Sequence, residues 1–395
     1  MRRLPLDGRL IPVLGIPLVI AMLLAIGVLF VHSASAGPED PFPSPLARAH
    51  LMRVLIGLAI FGAVALSDYR LGERFAPFLY IGGLGLLAGI LAIKWSTGAP
   101  VVRWFKFGGS SLQPSELVKL FAILLLARIL KNGLMHERRV PLLACLAVVG
   151  IPFLMVRAQP DLGTALVFLP IAAAMLWVAG ISVRTVGSLG LTAMVTAVFF
   201  MNEYQKDRVM VFLGRAGEDA ASGDAYHVTH SMISIGSGGP TGKGYGLGTH
   251  HNLGYLPEDH NDFIFGVIGE EWGLVGTIGV LLLFLTLFLL CLRVAWTTRE
   301  PFGRFLVVGV TAQLAFQTMV NLGMTCGLAP VTGLPLPFIS YGGTSMFIVM
   351  MGIGMVVAVA MRPVESLHPN GLKAGSADRS AIRRLNVRRR VRSLH

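Results

Sequence analysis

Apolar residues along this chain gather into long runs, with the polar residues collected between them. Reading the runs gives ten candidate spans, near 11–31, 50–66, 75–93, 115–131, 140–157, 162–180, 186–201, 263–292, 305–327 and 345–361. About 20 apolar residues is the length an α-helix needs to cross a hydrocarbon core. Lipid-exposed backbone must satisfy its own hydrogen bonds, so every span is expected to be helical. The pattern predicts an all-α chain, a polytopic membrane helix bundle of about ten transmembrane helices with a large external loop, 202–262, between the seventh and eighth. Residues 1–361 read as one transmembrane domain. Residues 362–395 are basic and poor in apolar side chains, and they read as a disordered tail.

Composition agrees with the pattern. Over 395 residues, 54% are hydrophobic and 14% charged, which excludes an ordinary soluble domain. Arg2, Arg3 and Arg9 before the first run, and Ala34-Ser35-Ala36 after it, imitate a cleaved signal peptide. The apolar run, however, outlasts the usual signal core of about 7–15 residues, so a retained helix is expected. Positive charges then set the orientation. Arg70, Arg74, Arg128, Lys131, Arg138, Arg139, Arg184, Arg293, Arg299, Arg304 and the tail fall on one side, which places both termini in the cytoplasm. The net charge of +12 resides largely in the tail. It suits anionic lipid head groups or a purely topogenic role, and gives no sign of nucleic acid. Cys145, Cys291 and Cys326 lie in or beside apolar runs and form neither a disulfide framework nor a metal motif.

The candidate chemistry concentrates at Leu253-Gly-Tyr-Leu-Pro-Glu258-Asp259-His260-Asn261-Asp262, which leads directly into an apolar run. Ionisable groups at the threshold of a membrane are costly and point to function. Asp262 has two readings, a helix cap or a reactive carboxylate. Gly266, Gly269 and Gly273 follow it at offsets of 4, 7 and 11, on one helical face. That stripe suits close packing on a neighbouring helix or a lipid chain. Glu270 and Glu271 add charge within the same run.

Upstream, Ser231–Thr249 is glycine-rich and holds Lys243. It fails as a nucleotide-binding P-loop, because Ser237 stands where glycine is required and Gly244 follows the lysine. What remains is either a turn-rich structural loop or a segment that brings N–H groups and one ammonium to an anion. His227, His230, His250, His251 and His260 share this loop, but there is no HExxH pattern and no zinc site is expected. Three further constellations stand out. Glu116 and Lys119 in Gln113-Pro-Ser-Glu116-Leu-Val-Lys119 have the spacing of an ion pair. Arg157 to Thr164 holds Asp161, and with the Glu116–Lys119 stretch it reads either as internal salt bridges or as a polar entry path. Arg103-Trp104-Phe105-Lys106-Phe107 is an interfacial aromatic-basic patch, and Pro330 to Ser345 is a Pro/Gly-broken stretch expected to wall the same cavity as Asp262.

These motifs, in this order, resemble the shape, elongation, division and sporulation family of cell-wall polymerases. The matching stretches are Gln113 to Glu116, Gln159 to Thr164, Ile235 to Gly239 with Gly242 to Gly244, Tyr255 to Phe265 and Pro337 to Gly343. Tyr226-His227, Gly248-Thr249 and Pro330 to Pro337 resemble the elongation branch more than the division branch. His230, His250 and Asn261 depart from the residues usual there. The resemblance implies a peptidoglycan glycosyltransferase that uses lipid II at the outer face of the bacterial cytoplasmic membrane. Asp262 is then the general base, its pKa raised by apolar surroundings. Lys243, Arg208 and Arg215 are the candidates to meet the leaving diphosphate. Trp104, Glu116, Lys119, Asp161, Glu258 and Ser340 are further substrate-binding candidates. A divalent cation, Mg or Mn, is a possible cofactor, with no metal ligands assigned. The implied partners are a class B penicillin-binding transpeptidase, other membrane proteins of the elongation complex and membrane lipids. A lipid II flippase or a non-catalytic scaffold are the competing readings.

Overall fold

The structure is a computed structural model and describes residues 7–36, 42–107, 110–135, 141–199, 201, 203–212, 224–249 and 261–362. In chain order the helices are α1 (Asp7–Ser35), α2 (Pro45–Leu66), α3 (Arg70–Thr97), α4 (Pro114–Met135), α5 (Leu142–Ala158), α6 (Leu162–Leu166) and α7 (Phe168–Val178). They continue with α8 (Val183–Phe199), α9 (Glu203–Phe212), α10 (Asp224–Ser237), α11 (Ile264–Thr297), α12 (Pro301–Thr325) and α13 (Thr344–Met361). Among the described residues six helices are long and apolar enough to cross a membrane: α1 from Leu10, α2, α3, α11, α12 and α13. Leu142–Ala158 and Leu162–Val178 are apolar but shorter. The other expected spans are helical as well, and α4 carries Glu116, Lys119, Arg128 and Lys131 along its length. Residues 363–395, including the expected disordered tail, lie outside the described residues.

The chain is not wholly helical. Phe105–Phe107 (β1) pairs antiparallel with Ser110–Leu112 (β2), Phe105 standing opposite Leu112. The alternation Phe-Lys-Phe has the period of a strand, and aromatic residues favour that conformation. The hairpin is anchored to the bundle at Thr344, whose hydroxyl donates to Ser111 O at 2.7 Å and accepts from Gln113 N at 3.2 Å.

Helix α12 is enclosed by its neighbours, with two-thirds of its most apolar window buried. Gly309 brings it against Ile123 of α4 and Met175 of α7. Next in the chain comes an irregular stretch, 326–343, that lies between α12 and α13. Non-helical backbone at membrane depth is tolerated only where protein satisfies it, and here several elements do so. Gly27 of α1 presses on the carbonyls of Phe338 and Ile339, where an added Cβ would come within 2.8 Å of both oxygens. Phe338 itself is buried at φ +67, a left-handed backbone that is costly for a bulky side chain. Arg208 Nη1 donates to Val331 O at 3.0 Å, and Asn321 Nδ2 donates to Leu334 O at 2.8 Å. Ser340 Oγ accepts from Leu336 N at 2.8 Å and closes the turn that precedes α13.

The opposite end of the bundle is tied by charge. Lys131 of α4 reaches Glu73 of α3 at 2.8 Å and Glu300, the cap of α12, at 3.2 Å. Arg128 Nη1 donates to Glu73 O at 3.0 Å, and Arg362 Nη1 to Ala65 O at 3.0 Å.

If the approach of Gly27 to the 338–339 backbone seats this stretch, Gly27→Val should destabilise the protein by about 1–3 kcal/mol. Gly62→Val is the control, since a Cβ at Gly62 meets nothing within 4 Å. Thermal unfolding in detergent should show a lowered midpoint for the first variant and an unchanged one for the second.

Candidate active site

Asp262 stands at the entrance of α11, one residue before the first turn and partly exposed. Two residues from other parts of the chain fix its surroundings. Asn321 Nδ2 donates to Asp262 O at 2.9 Å, and a Cβ added at Gly333 would lie 3.5 Å from Asp262 Oδ2. The carboxylate therefore faces the irregular stretch. Phe263 behind it is buried, with the His227 ring 5.9 Å away. The cap of α11 is Phe263 and makes no side-chain hydrogen bond.

Below Asp262 the helix is broken. Gly273 adopts φ 62 and ψ −157 inside α11, which frees backbone groups on either side of the kink. The glycine-rich segment after α10 takes them up. Lys243 N donates to Glu270 O and Gly244 N to Glu271 O, each at 3.0 Å. In return, Leu274 N donates to Gly239 O at 2.9 Å and Val275 N to Pro240 O at 3.1 Å. Backbones this close leave no room for side chains: a Cβ on Gly273 would stand 2.3 Å from Gly242 N. Gly269 likewise packs on Ile235 of α10. The glycine stripe is thus a docking groove for the loop itself.

Side chains seal that docking. Glu270, fully buried, takes the Lys243 ammonium at 2.5 Å, Thr249 N at 2.8 Å and Ser234 Oγ at 3.0 Å. Ser33 of α1 donates to Glu271. Tyr245 OH donates to Leu29 O at 2.9 Å, and Phe30 meets Trp272 edge-on at 4.8 Å. At residues 243 and 244 the N–H groups bond the α11 backbone and the ammonium meets Glu270, while the Lys243 side chain stays partly exposed.

The remaining candidates divide by geometry. Glu116 and Lys119 form an ion pair at 2.6 Å with both side chains buried. Glu116 Oε2 and Ser115 Oγ have no hydrogen-bond partner among the described residues. Asp161 caps α6 by accepting from Thr164 N at 3.2 Å, and it accepts from Gln113 Nε2 at 3.0 Å. It joins the start of α4 to the turn between α5 and α6. Ser340 is buried in the turn described above. Trp104 is 43% exposed beside the hairpin, and Arg103 donates to Pro160 O at 2.5 Å. Arg208 borders a cavity of about 170 Å³ lined also by Val228, Met232, Ala329 and Val331. His230 stacks on Tyr226 at 4.0 Å. Arg215, Glu258, His250, His251 and His260 lie outside the described residues. Among the described residues no three His, Cys, Asp or Glu side chains stand together as a metal site.

Sequence reasoning passed over Gln313, Gln317 and Asn321, all buried on α12. Their spacing of four in an otherwise apolar run was the available signal. It also passed over Arg53, whose guanidinium lies 4.1 Å above the Tyr341 ring, and the buried His50 one turn before it.

Comparison with known proteins agrees with this layout. A family model described as cell cycle protein, covering FtsW, RodA and SpoVE, matches residues 14–364. The peptidoglycan glycosyltransferase MrdB of Escherichia coli K12 is 36% identical over 347 residues, 86% of this chain and 92% of its own. A probable peptidoglycan glycosyltransferase, FtsW of Geobacter metallireducens, is 35% identical over 363 residues, covering 88% and 94%. Among solved structures, a peptidoglycan synthase complex described for polymerization and crosslinking superposes with a TM-score of 0.71 at 29% identity, over 89% of this chain and 98% of that one. The rod shape determining protein RodA of Thermus thermophilus gives 0.66 at 28%, over 89% and 97%.

Removing one partner of a buried ion pair strands the other. Lys243→Met should therefore cost about 3 kcal/mol, read as a lowered unfolding midpoint in detergent. The double variant with Glu270→Gln should recover most of that loss.

Proposed function

The chain belongs to the family of FtsW, RodA and SpoVE, and from that premise we propose that it is a peptidoglycan glycosyltransferase that polymerises lipid II, with Asp262 as the general base. The supporting observation is the placement of Asp262: a carboxylate at the mouth of a membrane helix, held against the irregular stretch through Asn321 and Gly333. A sugar hydroxyl of one lipid-linked disaccharide attacks the anomeric carbon of another. The new glycosidic bond forms as the bond to the diphosphate breaks, and the hydroxyl proton passes to the Asp262 carboxylate. The leaving diphosphate needs positive charge nearby. Arg208 is the described cation on the same wall, and Arg215 and Glu258 belong to the neighbouring loop. Trp104 and the hairpin flank the membrane surface where a lipid head group would lie.

About ten spans, both termini in the cytoplasm and the loop 202–262 on the outer face complete the reading, which places the reaction outside the cytoplasmic membrane. The elongation branch is the nearer match, and a class B penicillin-binding transpeptidase is the natural partner of a polymerase whose strands must be crosslinked. A divalent cation at the diphosphate would be held by the phosphates and one or two carboxylates, with Asp259 and Glu258 the nearest to Asp262 in sequence, and no step here is routed through one. The flippase reading draws less support: it needs polar access from both ends, and the end opposite Asp262 is held by the Glu73–Lys131–Glu300 bridge.

The test supplies labelled lipid II to the purified protein together with its transpeptidase partner and resolves the glycan strands on a gel. Wild type should make long strands. Asp262→Asn should slow polymerisation by about 10²–10⁴-fold, the range for a lost general base. Wild-type output from Asp262→Asn would sink the assignment. A parallel reaction in excess EDTA, with Mg or Mn added back, reads any cation requirement as activity lost and restored.

A further inference from the structure

Asn321 does more for Asp262 than fill the core. Its side chain is fully buried near the end of α12, and its one amide nitrogen donates to two carbonyls: Asp262 O at 2.9 Å and Leu334 O at 2.8 Å. Both are acceptors only, so the amide NH2 must face them, and a carboxylate of the same shape could supply neither bond. Leu334 directly follows Gly333, the residue against Asp262 Oδ2. A single rigid side chain thus sets the height of the carboxylate's backbone and of the wall that faces it.

We propose that Asn321 is the positioning residue of the catalytic carboxylate, locking the entrance of α11 to the 330–337 stretch at a fixed separation. The proposal rests on the reading of Asp262 as the base. The bonds join three segments remote in sequence, 59 residues apart in one case and 13 in the other. The cap of α11, Phe263, makes no side-chain hydrogen bond of its own. Helix α12 supplies the rigid footing because it is packed on several sides, as the contacts of Gly309 with Ile123 and Met175 illustrate. A loosened carboxylate remains present and ionisable but reaches the attacking hydroxyl less often, and displacement of about 1 Å costs about 10²-fold in rate.

Asn321→Leu keeps the number and branching of the side-chain heavy atoms and removes both donations. Thr318→Val is the control, a substitution of similar burial one turn away, at a hydroxyl with no hydrogen-bond partner among the described residues. In the lipid II assay Asn321→Leu should lower kcat about 10- to 100-fold with KM within about two-fold, and Thr318→Val should leave both unchanged. Hydrogen exchange should quicken in peptides covering 261–266 and 330–336 and stay unchanged in α4 and α13. Wild-type kcat in Asn321→Leu, an equal loss in Thr318→Val, or exchange that quickens throughout the bundle would each overturn the proposal. Asp262→Asn run in parallel separates the two ideas. If it polymerises normally, the base assignment fails, whereas an inactive Asp262→Asn beside a fully active Asn321→Leu removes the positioning role alone.

Discussion

Backbone that leaves helical geometry inside a membrane protein must find hydrogen-bond partners from the protein itself. That constraint organises the end of the bundle where Asp262 stands. Two breaks in regular structure bear on it, the stretch 326–343 that faces Asp262 and the kink at Gly273 further along α11. Each is satisfied from elsewhere in the chain. The kink takes its partners from the segment after α10, and the stretch takes them from Arg208, Asn321 and its own Ser340. Asp262 stands against the second of these repairs, which explains why residues so far apart in sequence lie beside one carboxylate.

The same constraint sorts the charged residues. Glu116 and Lys119 are buried as a pair, and the buried Glu270 is paired with a partly exposed Lys243. An unpaired charge in either place would be severely penalised. Asp262 is different in kind: it is partly exposed, at the mouth of the helix instead of inside it. A carboxylate in that position can exchange a proton with a bound hydroxyl, which a carboxylate enclosed by its own lysine does less readily.

Much of the fold was legible because its signals are local. Runs of about 20 apolar residues become helices in the expected places, and the spacing of Glu116 and Lys119 becomes an ion pair. Asp262 was legible as the candidate centre because charge beside a membrane run stands out in any reading. What stayed hidden is non-local. Nothing near Lys243 in the sequence announces Glu270, 27 residues away, as its partner. Asp161 and Ser340 carry polar groups suited to substrate, yet their local geometry assigns them to a helix cap and a turn. Asn321 went unremarked, since the two carbonyls it joins cannot be identified from periodicity. The hairpin at Phe105–Leu112 was read as an aromatic anchor because three-residue strands leave almost no pattern.

The docked glycine segment also bears on the order in which the protein is assembled. Its partners come from opposite ends of synthesis: Leu29 and Phe30 from the first helix, Glu270 to Val275 from the eleventh. The wall facing Asp262 is made later still, from residues 326–343, ahead of only the final helix. A nascent chain threaded into the membrane from its N-terminus therefore holds its carboxylate without the groups that frame it until almost the last span has entered. A chain stopped before residue 326 therefore carries Asp262 but not the stretch that faces it.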